Sequence, residues 1–410
     1  MGLVVFLTVI LHKFYFMKKV SLFVLLIMLM GQIAVLGNSR ELSSRARISM
    51  LTATPGDELY SVFGHSALRV IDPETGLDEV YNYGTFDFDT PNFYMKFLRG
   101  QLLYKLSVVP HEYFLLEYRY EGRGISEQVL NLSQEEMQRI YDFLQVNRQP
   151  GNEYYLYDFF FDNCATRIRD IVDVQLQPDW GEDPVPEYNR SFRDMLKPYL
   201  ENKPWASFGI DLVLGLPSDR KAIPWHYMFL PDEMFLAFAQ ARHSNGRPLV
   251  ERYSLVLEQT FEPAKPGVFG PVAAGWLLFL LGLLSLLKIR FARVFDKFFF
   301  SLLGVVGLVI LFLWFLSDHE ATNANLNLLW ALPTHLYFIF KGNMIYPIGI
   351  PRHYFKVVFA LNIMLLLLWP VLPQAFHPAF MPVILLSAVK SFLYGHGDAW
   401  KRIPMLRRLR

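Results

Sequence analysis

Long apolar runs dominate the last third of the sequence, and they restrict the fold more than any other feature. Val268–Leu287 and Phe298–Leu316 each come close to the roughly 20 mostly apolar residues that a transmembrane helix needs. Val357–Leu372 and Ala379–Tyr394 are two further predicted spans. The pattern therefore predicts an all-α transmembrane bundle over residues 267–396.

A shorter run, Asn327–Phe340, contains Pro333 and either crosses the membrane or is re-entrant. Cytoplasmic loops are enriched in Lys and Arg, so the basic residues between the first two runs mark that loop as cytoplasmic. If Asn327–Phe340 crosses the membrane, the basic residues that follow it lie on the cytoplasmic side, as the first basic loop does. We therefore predict five spans and a basic cytoplasmic tail, residues 397–410. The basic residues are Lys288, Arg290, Arg293 and Lys297, then Lys341, Arg352 and Lys356, and in the tail Lys401, Arg402, Arg407, Arg408 and Arg410.

Residues 1–37 are almost entirely apolar and predict an export signal. Met17-Lys-Lys followed by Val20–Gly37 has the charged start and the apolar core of such a signal in bacteria. We expect translation to begin at Met17. The segment is either cleaved or kept as an N-terminal anchor. Both outcomes place residues 38–266 on the periplasmic side of the inner membrane and leave a multi-pass membrane protein.

Composition narrows the classes of function. The net charge of +1, without a basic face of interleaved aromatic residues, argues against nucleic acid as a partner. The single cysteine, Cys164, cannot form an internal disulfide or a cysteine-based zinc site. His319-Glu320 lacks a second pair of ligands, so we predict no metal, and we predict no cofactor.

The only cysteine stands where an apolar strand runs into a helix. Asn163 is a good helix N-cap, and apolar residues recur at helical spacing after it. Cys164 is therefore predicted in the first turn, where free backbone N–H groups and the helix dipole favour a thiolate. The alternative is a buried cysteine that serves as a small hydrophobic residue.

A histidine and a polar partner are predicted on neighbouring strands. His65 stands at the entrance of the strand Ala67–Ile71, and the hairpin turn Asp72–Gly76 leads to a return strand on which Asn82 or Tyr83 could lie near His65. Residues on paired strands can face one another. Cysteine catalysis needs a base that takes the thiol proton and a third group that fixes the imidazole tautomer. The alternative for His65 is a hydrogen-bonded structural histidine.

The remaining pattern of residues 38–266 predicts an α+β domain. A capping box, Ser133 with Glu136, opens a helix with one apolar face. Pro231–Arg242 is a second helix whose apolar face is either core or dips into lipid. The predicted strands, besides those already given, are Ala46–Thr54, Leu102–Val109 and Ile125–Leu132.

Gly64-His65-Ser66 and Asp162-Asn163-Cys164, in this order, resemble a permuted papain-like fold related to NlpC/P60 peptidases and lecithin:retinol acyltransferase. With the attached membrane part, the chain more closely resembles the Lnb-type lipoprotein N-acyltransferases. The matching stretches are Leu51–Val70, Tyr81–Phe88, Asp158–Asp170, Gly209–Pro231 and Ser317–Pro333.

The resemblance implies Cys164 as nucleophile and His65 as base, and we assign Asn82 as the third member. Asn163 and Tyr60 are predicted to support the site and its oxyanion. The resemblance further implies that an acyl chain is transferred from a phospholipid, through a Cys164 thioester, to the N-terminal amine of a diacylglyceryl-cysteine lipoprotein.

Polar residues in the predicted outer loop offer a place for the lipid headgroup or the incoming amine. We assign His319, Asn325 and Asn327 as substrate-binding residues, with a solvated loop as the alternative.

Two other classes of function stay open. The first is a periplasmic cysteine peptidase or amidase that acts on cell-wall peptides, or a phospholipid acyl hydrolase. A scaffold or transporter is the second. The spans Val268–Leu287 and Phe298–Leu316 contain no charged residue, which argues against an ion-coupled transporter.

Overall fold

A seven-stranded antiparallel sheet is the centre of the N-terminal region. The computed structural model describes residues 40–181, 189–260, 262–341 and 350–396, so the predicted export signal and the basic tail lie outside the described residues. The strands are β1 Arg47–Ala53, β2 His65–Asp72, β3 Leu77–Thr85, β4 Leu103–Pro110, β5 Ile125–Leu130, β6 Tyr154–Leu156 and β7 Val250–Leu257. Their spatial order is β6-β4-β3-β2-β1-β5-β7.

Helices cover both faces of this sheet. They are α1 Phe93–Leu98, α2 His111–Tyr120, α3 Gln134–Asn147, α4 Cys164–Leu176, α5 Phe192–Leu200, α6 Pro204–Val213, α7 Pro224–Tyr227 and α8 Pro231–Gln240. Ile48 and Met50 of β1 belong to the core formed with α3, α4 and α8, whereas Leu51 and Ala53 pack with α2 on the other face. Side chains alternate across a strand, so a central strand with both faces covered is apolar nearly throughout.

Local sequence signals account for most of these elements. The predicted capping box is present, since the hydroxyl of Ser133 accepts from the N–H of Glu136 and the Glu136 carboxylate accepts from the N–H of Ser133. The apolar face of α8 is buried, with Met234 and Phe238 both at 0% exposure. This helix is therefore part of the core and does not dip into lipid.

An all-α region of apolar helices follows the α+β domain. Its helices are α9 Pro271–Ser285, α10 Ile289–Phe315, α11 Thr334–Lys341, α12 Ile350–Leu368 and α13 Phe380–Gly395. Within the described residues, Arg290–Phe315 and Pro351–Val371 are long and apolar enough to cross a membrane. Pro271–Ser285 and Phe380–Gly395 are shorter apolar helices.

The segment Asn327–Phe340 is not one continuous helix. A 3-10 turn, Leu326–Leu329, is followed by irregular backbone before α11 begins at Thr334. Pro333 explains the break, because proline has no N–H to donate and disfavours helical backbone in the residue before it. The segment packs against α10 at Gly307, where a Cβ would overlap the carbonyl oxygen of Ala331.

A buried ion pair within the helical region changes the argument against a transporter, which rested on the lack of charged residues in two predicted spans. Helix α10 begins at Ile289 rather than near Phe298, so Asp296 lies inside the helix and is fully buried. The Lys390 Nζ atom is 2.7 Å from Asp296 Oδ1 and 2.7 Å from the hydroxyl oxygen of Ser285. The apolar region therefore does contain charge, and the absence of charge no longer argues against a transporter.

Candidate active site

Cys164 is the first residue of α4, and its position is set by the cap before it. The Oδ1 atom of Asn163 accepts from the N–H groups of Ala165 and Thr166, both at 2.9 Å. In return the Thr166 hydroxyl accepts from the N–H of Asn163 at 2.7 Å. This reciprocal capping box fixes the helix start, as the N-cap prediction requires.

The side chain of Asn163 has no group left for an oxyanion. Its Nδ2 atom donates to the carbonyl oxygens of Phe159 and Phe229, at 2.9 and 2.8 Å. We correct the predicted role accordingly, because Asn163 supports the site by holding α4 in place. Among the described residues, the N–H of Cys164 has no protein partner, whereas the N–H groups of the next three residues are bonded. It is the available donor at this helix end.

The structure brings His65 and Asn82 to Cys164. The Nε2 atom of His65 donates to Oδ1 of Asn82 at 2.6 Å, and the imidazole also shares a hydrogen bond with the Cys164 thiol. Because Nε2 is taken by Asn82, Nδ1 is the ring nitrogen left for the sulfur. Asn82 and Cys164 are buried and His65 is partly buried, so these bonds are partly shielded from bulk water.

Gly84 leaves the space in which the imidazole and the thiol meet. A Cβ at Gly84 would lie 3.5 Å from the Cβ of Cys164 and 3.8 Å from Cε1 of His65. The backbone there has a φ of +91°, a conformation in which residues with a side chain are strained. Gly84 therefore serves the site through both its conformation and its lack of a side chain.

The electrostatics of the pair favour a thiolate beside an imidazolium. Burial alone would raise the pKa of Cys164, but the charge and hydrogen bond of His65 and the N–H groups of Ser66 and Ala165 lower it overall. For His65, burial would lower the pKa, yet the thiolate and the bond to Asn82 raise it. The two opposite shifts come from the same contact.

Tyr155 is a neighbour of the site that the sequence did not indicate. Its hydroxyl would lie 3.9 Å from a Cβ at Gly84, and the guanidinium of Arg167 stacks 3.9 Å above its ring. The hydroxyl is buried and has no hydrogen-bond partner among the described residues. Burial and the nearby thiolate raise the pKa of Tyr155, so the hydroxyl stays protonated and can donate a hydrogen bond. No pattern identifies this residue, because β6 has only 3 residues.

Tyr60 lies at the rim of the site rather than in it. Its side chain is 63% exposed and packs edge to face against Phe86, with ring centroids 6.4 Å apart. The predicted oxyanion role does not fit this position. Tyr60 instead forms part of the apolar surface that leads away from the thiol.

Two of the three predicted substrate-binding residues of the outer loop are buried. Asn325 and Asn327 are 1% and 0% exposed, and their amide nitrogens donate to the carbonyl oxygens of Asp211, Leu212 and Val213 at the end of α6. These two residues cap a helix, so we correct the prediction that they bind substrate. The Nε2 atom of His319, which is half-buried, donates to the carbonyl oxygen of Phe97 at 2.8 Å.

No group of three or more His, Cys, Asp or Glu side chains in the described ranges is placed to hold a metal ion.

Comparisons with known families match both regions of the chain. The model of the Lnb N-terminal periplasmic domain matches residues 41–194, which contain His65, Asn82 and Cys164. The model of the Lnb transmembrane domain matches residues 263–396, which contain α9 to α13. No curated protein and no solved structure matches the chain.

Proposed function

The chain belongs to the Lnb family, and from this membership and the thiol site we propose that it transfers an acyl chain from a phospholipid to a lipoprotein. Membership makes it a membrane protein with a periplasmic domain and an enzyme of lipoprotein maturation. The finer proposal is that the acyl chain passes through a Cys164 thioester to the N-terminal amine of diacylglyceryl-cysteine. The observation that carries it is the hydrogen-bonded set of Cys164, His65 and Asn82 at the start of α4.

The first half-reaction forms the acyl-enzyme. The Cys164 thiolate attacks the ester carbonyl carbon of the phospholipid, and the negative charge moves to the carbonyl oxygen. The N–H of Cys164 and the Tyr155 hydroxyl are the donors placed to stabilise that oxygen. As the ester C–O bond breaks, the His65 imidazolium gives its proton to the leaving alkoxide, and a lysophospholipid departs.

The second half-reaction regenerates the enzyme. The amine of the lipoprotein attacks the thioester carbonyl carbon, and neutral His65 takes the proton that the nitrogen loses. The C–S bond then breaks, and the amide product leaves behind the thiolate and the imidazolium. Asn82 holds the ring in place through both steps, since Nε2 keeps its donor bond while Nδ1 exchanges the proton.

Contacts between the two regions support a membrane substrate. Asp318, three residues beyond the end of α10, accepts a hydrogen bond from Gln101 of the sheet domain at 3.0 Å. The backbone N–H of Asp318 donates to the carbonyl oxygen of Arg99 at 2.8 Å. The α+β domain is thus attached at the end of a candidate transmembrane helix, where an ester group of a lipid would be found.

A two-step labelling experiment tests the proposal. The purified full chain, in vesicles with phospholipid that carries a labelled acyl chain, should acquire a label that hydroxylamine removes. A diacylated lipopeptide should then take up the label as an amide that hydroxylamine leaves intact. Cys164→Ala should show neither signal, while the exposed control Val174→Ala should match the parent.

The outcomes separate the candidate activities. Release of labelled fatty acid without transfer to the lipopeptide would indicate a hydrolase. A parent enzyme that takes no label from phospholipid, yet cleaves cell-wall peptides in a Cys164-dependent way, would replace the proposal by a peptidase. Equal labelling of Cys164→Ala and the parent would exclude a cysteine mechanism altogether.

A further inference from the structure

A group of exposed apolar side chains surrounds α1, next to the end of β3 that holds Asn82 and Gly84. No residue of α1 is buried. We name the exposed group the α1 patch. Its members are between 42% and 77% exposed: Phe88, Tyr94, Met95, Phe97 and Leu98. Soluble proteins seldom leave a contiguous apolar patch in water without a partner that covers it.

The α1 patch is fixed to the end of a candidate membrane helix. The turn after α1 bonds to the residues after α10: the Arg99 carbonyl oxygen accepts from the Asp318 N–H at 2.8 Å, and the Phe97 carbonyl oxygen accepts from His319 Nε2 at 2.8 Å. At the same end of α10, Phe315 and Leu316 are 65% and 61% exposed. The apolar surface of the helix therefore continues beside α1, where the headgroup boundary of a bilayer would lie.

Aromatic rings connect the α1 patch to the thiol. Phe97 stacks on Phe93 with ring centroids 6.4 Å apart, and Phe93 contacts Phe86 at 5.9 Å. Phe86 follows two residues after Gly84, which borders both Cys164 and His65. A continuous apolar path thus leads from the end of α10 to the reacting sulfur.

Basic residues accompany the patch. Lys96 and Arg99 lie in or directly after the last turn of α1, among the exposed apolar side chains. A helix with apolar side chains on its surface and Lys or Arg beside them is typical of segments that lie in the membrane interface. Their long side chains can reach anionic phosphate groups while their stems stay against apolar surface.

We propose that the α1 patch lies in the outer leaflet of the membrane that holds α9 to α13, and that it binds the phospholipid whose acyl ester reaches Cys164. The delivery of the ester rests on the proposed acyl transfer, whereas the contact with lipid does not. Phospholipid is the occupant because the patch begins at the end of α10 and its basic residues suit phosphate. A second copy of the chain or another protein is the competing occupant.

Fluorescence tests the contact with lipid in the full chain. In a Cys164→Ala background, Met95→Cys carries an environment-sensitive fluorophore in vesicles of phosphatidylethanolamine with a minority of phosphatidylglycerol. A nitroxide near the top of a lipid acyl chain should quench this fluorophore strongly. Glu74→Cys is the control, because residue 74 is exposed in the turn at the far end of β3, about 30 Å away along a strand of 9 residues.

Two results would overturn the contact with lipid. The first is a Met95→Cys fluorophore that is as open to an aqueous quencher as the one at Glu74→Cys. The second is a fluorophore protected from water yet untouched by the nitroxide lipid, since it would be covered by protein.

Kinetics test the delivery of the ester. Tyr94→Asp with Met95→Asp puts two charges into the α1 patch at positions that are 77% and 50% exposed, so the fold should tolerate the changes. Acylation of Cys164 from vesicle phospholipid should fall at least about tenfold. Acylation by a soluble short-chain ester should stay within about twofold of the parent, since the reacting groups are untouched. Val174→Asp, at an exposed apolar position on α4, should change neither rate.

The outcomes distinguish this inference from the acyl transfer on which it rests. Unchanged acylation from vesicles in the Tyr94/Met95 variant, or an equal loss with both esters, would overturn delivery through the patch. A parent whose Cys164 reacts with the soluble ester but never with phospholipid would overturn the proposed acyl transfer and delivery with it. Contact with lipid would still be decided by the fluorescence.

Discussion

The Nε2 atom of His65 lies 2.6 Å from the Oδ1 atom of Asn82, across two neighbouring antiparallel strands. The pairing of Leu68 with Tyr81 places His65 opposite Gly84, so Asn82 is its diagonal neighbour on the same face. An amide oxygen can only accept, which makes Nε2 the donor and directs Nδ1 to the sulfur of Cys164. One bond thereby sets both the tautomer and the direction of proton transfer.

Replacement of Asn82 by Ala should slow acylation of Cys164 by about ten to a hundredfold, a part of what a positioned acid or base contributes. The imidazole loses the bond that raises its pKa, so the alkaline limit of the rate should move to lower pH. Asn82→Gln, with the same amide on a longer side chain, should recover part of the rate. A pH profile unchanged in Asn82→Ala would assign Asn82 a purely structural role.

The thiol should react as a thiolate below its ordinary pKa of 9.0, because the pKa of Cys164 is lowered by His65 and by two N–H groups. The pKa of His65 is raised above 6.5, so the ion pair is present between the two shifted values. The rate of alkylation by iodoacetamide should therefore increase with pH in the parent, with a midpoint below pH 9.0. In His65→Ala only burial and the N–H groups still shift the pKa of Cys164, so the midpoint of the alkylation rate should move to higher pH. Identical pH profiles for the two proteins would contradict the ion pair.

Replacement of Gly84 by Ala should slow acylation while the protein stays folded, because a methyl group would fill space beside the sulfur. The new methyl group would lie 3.5 Å from the Cβ of Cys164 and 3.8 Å from Cε1 of His65, at a backbone φ of +91°. Gly76→Ala is a matched control, since Gly76 has a φ of +69° and open space around its Cβ position. Both variants should lose about 1 kcal/mol of stability. Equal rates of acylation for both would show that a methyl group beside the sulfur has no effect on the reaction.

Arg193→Met should strongly destabilise the contact between the two regions. The guanidinium is buried and bonds to Asp219 at 2.9 Å and to Asp211 at 2.8 Å, and Asp219 also accepts from the N–H of Ala375 at 3.0 Å. Removal of one partner leaves buried carboxylates uncompensated, which typically costs about 3–5 kcal/mol. Thermal unfolding in detergent should show this loss. Lys197→Ala, which breaks an exposed ion pair with Asp194, should change the midpoint little.

The buried pair of Asp296 and Lys390 should behave as a unit. Lys390→Met leaves the carboxylate of Asp296 buried, with the hydroxyl of Tyr394 as its remaining partner among the described residues, so the yield of folded protein should drop. Adding Asp296→Leu should restore much of that yield, because no charge is then left in the apolar region. A double variant that is as unstable as Lys390→Met would point to a role beyond mutual neutralisation.

Much of the site could be predicted because its signals are local. The Asn163 cap fixes where α4 starts, and the Asp72–Gly76 turn fixes which residues of β2 and β3 can meet. A turn sets strand register, and register decides which side chains share a face. The turn left either Asn82 or Tyr83 as the neighbour of His65, and the register in the structure places Asn82 on its face.

Other contacts could not be predicted because they depend on distant parts of the chain. Asn325 and Asn327 have the polarity of a substrate loop, yet α6 lies opposite them and takes their donors. Asp296 lies before the predicted start of a span, and only its packing against Lys390 shows that it is buried. Helix α2 and strand β7 also escaped prediction, because neither shows a clear apolar periodicity.

The caps that Asn325 and Asn327 place on α6, with Gln374 bonded to Asn325 at 3.1 Å, tie the thiol domain to the helices beneath it. We expect the sulfur of Cys164 to stay at a constant height above the bilayer during turnover. Of the ester groups of a glycerophospholipid, the enzyme would then cleave the one whose carbonyl lies at the same height as the sulfur.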